Sequence, residues 1–243
     1  MTTNLSRKAF IGGAGALLVA GAGWAASPEQ KRKDPVFFEN WSDDNHCLQA
    51  SIMSALNSIG VKVRWDEVNA GTGYDARYYT WTVSGAAYLS SKVAGVQFIS
   101  VLDYAALARR GEAYLREVWN AAYFEHQKSH ASPNFSKEQQ AAAKFLESGR
   151  FSLRRPAAAD VAQLVEENFV IPLTHVERLY PGAGVASHYV MAYAHQDGDV
   201  WIHDPGLPPK RSWRLPLQQL YGAISGDILV IPHPGQRFGA VPG

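Results

Sequence analysis

The sequence is short of cysteine: of 243 residues only Cys47 is one. No disulfide can form within the chain, so its stability must come from an apolar core, and the lone thiol is either buried and inert or reactive. Charge of one sign is also missing. Lys and Arg number 23 against 22 Asp and Glu, a formal net charge of +1, and without residues 1–25 the balance is 21 bases to 22 acids. Nucleic acid is excluded as a partner, because phosphate binding needs a clustered positive surface. The short basic patches at Lys31 to Lys33 and Arg109 with Arg110 read as solvated faces. A dinucleotide loop is lacking too. The glycines at 12, 13, 15, 21 and 23 follow no strand and never complete the three-glycine spacing.

What is present is enough apolar material for one sizeable core, 47% hydrophobic and 12% aromatic residues, and nothing marks two. Arg7 and Lys8 precede the uncharged, small-residue run Ala9 to Ala26, which ends in Gly-Trp-Ala-Ala before a Lys-rich stretch. This pattern reads as an export signal over residues 1–26, cleaved after Ala25 or Ala26, and the run is short for a membrane span. Ser6-Arg7-Lys8-Ala9-Phe10-Ile11 resembles a twin-arginine motif with Lys8 in place of the second arginine, leaving both bacterial export routes open. The expected location is periplasmic or secreted, with no stable membrane association after cleavage, and residues 27–243 form a single domain.

Along that domain the period changes half-way. Leu48, Ile52, Leu56 and Ile59 recur at helical spacing, predicting a buried helix from about Cys47 to Ile59 that Gly60 stops. Helices follow over Val83 to Lys92 and over Tyr104 to His130 with a break near Gly111. Another opens on a Ser136/Gln139 capping box and ends near Gly149, and a short one spans Asp160 to Asn168. Val96 to Val101 alternates like a strand. From Val170 the pattern is strand-like over 170–179, 188–195, 199–204 and 227–231, interrupted by a helical stretch at Leu215 to Ile224. The fold class is therefore α+β, a helical N-terminal half followed by a mostly antiparallel sheet.

Cys47 heads its helix, where the positive end of the macrodipole favours a thiolate. A thiol nucleophile also needs a base and a group that orients the base. His188 and Asp204, sixteen residues later, supply that order. A two-residue turn at Asp197-Gly198 sets Asp204 opposite Met191 and puts His188 on the other face of the sheet. A three-residue loop, Gln196 to Gly198, sets Asp204 opposite Val190, on the side of His188 and diagonal to it. A Cys-His-Asp triad requires the longer loop by this reasoning.

The row DNHCLQASIMSAL around Cys47, followed by SHYVMAYAHQDGDVWIHDPGLPP, resembles the C39-like branch of the papain-like cysteine peptidases. In that branch a Cys begins a helix, a His begins a strand and an Asp sits in a following Asp-Pro step. Both matching segments are short, and Cys47 and His188 are 141 residues apart, as in papain-like enzymes. The resemblance implies a papain-like fold, Cys47 as nucleophile, His188 as general base and then acid, Asp204 as orienter, and a peptide or protein substrate. One position departs from it. The family usually carries an oxyanion-stabilising Gln six residues before the nucleophile, and here that residue is Trp41. Asn45, ahead of Asn40, is the candidate donor beside the Cys47 backbone amide.

Other groupings point less far. His126 and His130 with Glu125 have metal-compatible spacing on a helix but no third ligand, and read as a solvated face. His195, His203 and Asp204 do not share a face under either turn. No cofactor or metal is implied. The aromatic-rich stretch Tyr74 to Trp81 either lines a substrate groove or packs on the surface. Three functions follow: an exported cysteine hydrolase acting on peptide or amide bonds through a thioester, an acyltransferase using the same triad, and a non-catalytic binding module.

Overall fold

A computed structural model describes residues 34–41, 44–133, 135–184, 186–206 and 208–233, so the expected export signal lies outside the described residues. The helical half begins with α1 (Cys47–Ser58), whose residues from Leu48 to Leu56 are all buried, and ends before Gly60, which takes a positive φ. The expected helix is thus present and one residue shorter. α2 (Trp65–Thr72) was not anticipated; it buries only Val68 and Thr72 and so carries no apolar period to read. α3 (Thr82–Ser90) is buried along almost its whole length and leads to β1 (Gln97–Ser100).

The stretch expected as one helix broken near Gly111 is three: α4 (Tyr104–Arg110), α5 (Glu112–Val118) and α6 (Ala121–His130). The second break comes at Asn120, whose side chain caps α6 by accepting from the Tyr123 amide. α7 (Ser136–Ser148) starts after Phe135, a left-handed residue that holds the cap position, so Ser136 is already inside the helix, and Gln139 Nε2 donates to the Ala108 carbonyl.

β2 (Arg150–Leu153) pairs in parallel with β1, and α8 (Ala158–Glu167) follows it. β3 (Asn168–His175) then gives way to a helical turn, α9 (Val176–Leu179), splitting the strand expected over 170–179. β4 (Ser187–Tyr189), β5 (Met191–Gln196), β6 (Asp199–Asp204), β7 (Lys210–Pro216), α10 (Leu217–Ala223) and β8 (Ile224–Pro232) complete the chain. The strands form one sheet in the order β2-β1-β8-β3-β5-β6-β7, with β4 also on β3, and every pairing except β1 with β2 is antiparallel.

Both faces of this sheet are covered, and alternation along each strand assigns side chains to them. Phe169, Ile171, Leu229 and Ile231 join the core packed by α1 and α3, whereas Val170, Ile228 and Val230 join the one packed by α8 and α10. Burying a leucine or isoleucine side chain contributes about 1.5–3 kcal/mol, so these two layers are what fix the strands in register.

The hairpin joining β5 to β6 resolves the question of the turn differently from either alternative. Gln196 pairs Asp199 and His195 pairs Val200 across the two-residue turn Asp197-Gly198, in which both residues have positive φ. Between Ala192 and Ala194 the register slips, so that Ala192 pairs Ile202 and Met191 pairs His203. A bulge at Tyr193 therefore supplies the one-residue offset assigned above to a longer loop.

Candidate active site

Cys47 is the first residue of α1, half-buried, with His46 before it accepting from the Ala50 amide, and no acidic residue stands in the first helical turn. The positive end of the helix dipole is thus unopposed at the thiol. The approach to Cys47 is held by Asn40. Its Oδ1 accepts from the backbone amides of Trp41 and His46, and its Nδ2 donates to Asp44 Oδ1. That closes a tight loop in which Asp44 adopts a positive φ. The Asn40 backbone amide also donates to the Pro205 carbonyl at 2.7 Å, joining this loop to the end of β6.

His188 is on β4 opposite Thr174, which fixes its backbone by donating from Oγ1 to the His188 carbonyl. The Nε2 of the His188 ring lies 2.6 Å from Asp204 Oδ1, and the Cys47 sulfur is near enough to act on the charge of the ring. His188 and Asp204 are therefore brought together, as the offset from the bulge at Tyr193 allows.

Asp204 is 1% exposed and fully engaged: Oδ1 also accepts from the Gly206 amide at 2.7 Å, and Oδ2 accepts from the Tyr180 hydroxyl. Burial by itself would push its carboxyl up, yet His188, Tyr180 and Gly206 together hold it below the usual carboxylate range. Burial likewise opposes a charged His188. The Asp204 carboxylate and the Cys47 sulfur overcome that and raise the imidazole to about 10. The arrangement favours an imidazolium against the Asp204 carboxylate.

The candidate oxyanion donors are less free. Asn45 Nδ2 donates to the Ala76 carbonyl at 3.0 Å, and Asn40 is committed as described. Trp41, six residues before Cys47, packs on His46 with ring centroids 4.1 Å apart, and Tyr74 packs on the same ring at 3.9 Å. The stretch from Tyr74 to Trp81 divides accordingly. Tyr74 and Trp81 pack inward, whereas Tyr78 and Tyr79 line an open depression of about 380 Å³ with Asp75, Arg77, Lys137 and Glu138.

The remaining histidines serve elsewhere. His126 and His130 stack at 4.3 Å on α6, His195 pairs with Glu166, and His203 is buried against Pro35 and Ser212. Among the described residues no three metal-ligating side chains lie together. Tyr180 and Gly206 escaped the reading of the sequence. Gly206 follows the Asp-Pro step closely enough to have been suspected, but Tyr180 reaches Asp204 only through the tertiary fold.

No family model and no curated protein matches this chain. Among solved structures it is similar to a protease described as a "double glycine motif protease from AMS/PCAT transporter in complex with the leader peptide". The identity is 12%, the TM-score 0.43, and the match covers 84% of this chain and 96% of that one.

Proposed function

We propose that this protein is a cysteine hydrolase that cleaves a peptide or amide bond through a Cys47-His188-Asp204 triad. The observation that carries this reading is His188, buried, hydrogen-bonded to the Asp204 carboxylate and close enough to the Cys47 sulfur for it to act on the charge of the ring. In the reaction the Cys47 thiolate attacks the carbonyl carbon, and the imidazolium of His188 then gives its proton to the departing amine as the C–N bond breaks. The thioester left on Cys47 is attacked by water, whose proton passes to the now neutral His188 nitrogen, and the released thiolate restores the pair. Asp204 holds the ring in orientation and stabilises its charge throughout. The Cys47 backbone amide, at the positive end of α1, and the Asn45 side chain are the donors proposed for the oxyanion. The substrate is a peptide or protein segment, and the depression beside Tyr78 and Tyr79 is a place for part of it. The N-terminal pattern around Arg7 and Lys8 supports action after export, in the periplasm or outside the cell.

The test exploits the single thiol, since every alkylation event reports Cys47. Its rate is measured against pH in the protein and in His188→Ala. Rapid alkylation near pH 6, below the range of a free cysteine at about 8.5, and its loss in the variant are expected. Slow alkylation that rises only above that range in both proteins overturns the reading. That result favours a binding module, to which Trp41 in the place of the family's Gln already points. With activity in hand, partition of the thioester between water and an added amine distinguishes hydrolysis from acyl transfer.

A further inference from the structure

We infer that Tyr180 is a positioning residue of this site, its hydroxyl holding the Asp204 carboxylate ionised and in the rotamer that receives His188. The inference rests on the triad proposed above. A buried carboxylate stays charged only when its lone pairs are met by donors. His188 and Gly206 share Oδ1, so among the described residues Tyr180 alone serves Oδ2. Without it Oδ2 has no donor among the described residues, and the hold on the carboxylate falls to the two bonds at Oδ1.

Tyr180 is itself built in. It follows α9, its amide donates to the Val176 carbonyl, and its ring stacks on Trp213 at 5.0 Å with 19° between the planes. The Lys210 ammonium lies 4.2 Å from the Tyr180 ring centroid and 4.0 Å from that of Trp213. Lys210 is also the β7 partner of Asp204 in the sheet register. Burial and the adjoining Asp204 push the phenol far above its ordinary ionisation range, which keeps it a donor wherever the enzyme works.

The titratable groups around Asp204 are His188 from β4, with the Cys47 thiol of α1 beyond it, Tyr180 after α9, and Lys210 of β7 above the Tyr180 ring. His203, the preceding residue of β6, turns its ring to the opposite face, where Asp34 and Arg211 lie. Of these, His188 donates to Oδ1 of Asp204 and Tyr180 to Oδ2. Removal of the Tyr180 hydroxyl therefore acts on the acid side: Asp204 takes up a proton at higher pH, and His188 loses its acceptor there.

The experiment compares Cys47 alkylation against pH in the full chain, Tyr180→Phe, and His188→Ala, with thermal unfolding in parallel. Phe keeps the ring on Trp213 and under Lys210 and removes the hydroxyl alone. The acid limb of Tyr180→Phe is expected about one to two pH units above that of the parent, the size of one hydrogen bond to a charged group. NMR titration of the Asp204 carboxyl carbon in both proteins gives the same comparison without relying on reactivity. A lowered Tm with coincident acid limbs and coincident carboxyl titrations overturns the inference and leaves Tyr180 a packing residue. If the parent itself shows no His188-dependent reactivity, the triad fails and not merely the role of Tyr180.

Discussion

Gly206→Ala tests the packing of the triad with the smallest possible perturbation. Gly206 does not adopt a positive φ, so alanine meets no backbone strain, and its effect is that of one methyl group. That methyl would stand 2.9 Å from Asp204 Oδ1 and 3.0 Å from both Cε1 and Nε2 of His188. Carbon contacts relax near 3.5–4.0 Å, so about half an ångström must be found. Neither neighbour can swing away, because both are buried and each is bonded to the other at 2.6 Å. The displacement lengthens that bond into the range of a neutral hydrogen bond and shifts the ring relative to Cys47. Losing the charge-assisted part of such a bond costs about 1.5 kcal/mol or more, and small misplacements at reacting groups cost up to about 100-fold. A 10- to 100-fold fall in hydrolysis or in Cys47 alkylation near pH 6 is expected, with about 1–3 kcal/mol lost from the unfolding free energy. Gly222→Ala, in α10 with nothing within 4 Å and no positive φ, is the control: unchanged activity and a stability gain of about 0.5–1 kcal/mol. Parental rate and pH profile in Gly206→Ala would refute the geometry, since a methyl group cannot occupy that space while the pair stays as described.

Two further outcomes concern pH. The raised His188 contributes stability that is complete below its unfolded value near 6.5 and is lost as pH rises toward about 10. The lowered Asp204 contributes stability above the ordinary carboxylate range and loses it as pH falls through its depressed folded value. Denaturant titrations should accordingly show the destabilisation caused by His188→Ala largest between about pH 4 and 6.5 and shrinking toward pH 10. Asp227 is the opposite kind of carboxylate. It is buried and accepts from Ser100 and Tyr104, and burial raises it despite those donors. Its charge therefore destabilises the fold as pH rises through its folded value, and Asp227→Asn should be the more stable protein at neutral pH, with the gain vanishing below about pH 4.

The sequence made the helix of Cys47 legible because its apolar residues recur at one helical period, and made the C-terminal strands legible because theirs alternate. α2, β2 and β7 were not legible for the complementary reason: they lie at the edges of the molecule, where partial exposure leaves no period to detect. The case of the β5–β6 hairpin is more instructive. Asp197-Gly198 marks a two-residue turn and forms one, yet the triad needs the other register. The correction comes from a bulge at Tyr193 inside an apolar run with no glycine to announce it. Tyr193 is drawn there by its surroundings, its ring 4.8 Å from that of His203 and its hydroxyl donating to Asp34. Register in this hairpin is thus a tertiary property, and a turn signal by itself predicted the wrong face for His188.

The same tertiary logic explains how a helix and a strand far apart in the chain are held close enough to share a proton. The segment from Asp34 to Asn40 runs between them and is tied to both. On one side the amides of Val36 and Phe38 donate to Ser58 and Ser54 of α1. On the other, Asp34 pairs with Arg211 and Ser212, the Pro35 carbonyl accepts from His203, and the Asn40 amide reaches the Pro205 carbonyl. His203 makes this brace conditional on its protonation. Its Nδ1 accepts from the Ser212 amide while Nε2 donates to Pro35, a pairing that only the neutral ring can make, and burial lowers its proton affinity accordingly. A histidine depressed in the fold adds stability above its unfolded value and withdraws it as pH falls through the folded one. The brace is therefore complete from neutrality upward, and the His188-Asp204 pair is strongest toward mild acid. The two demands overlap just below neutral pH, where the thiol on α1 and the carboxylate on β6 are best held against the ring between them.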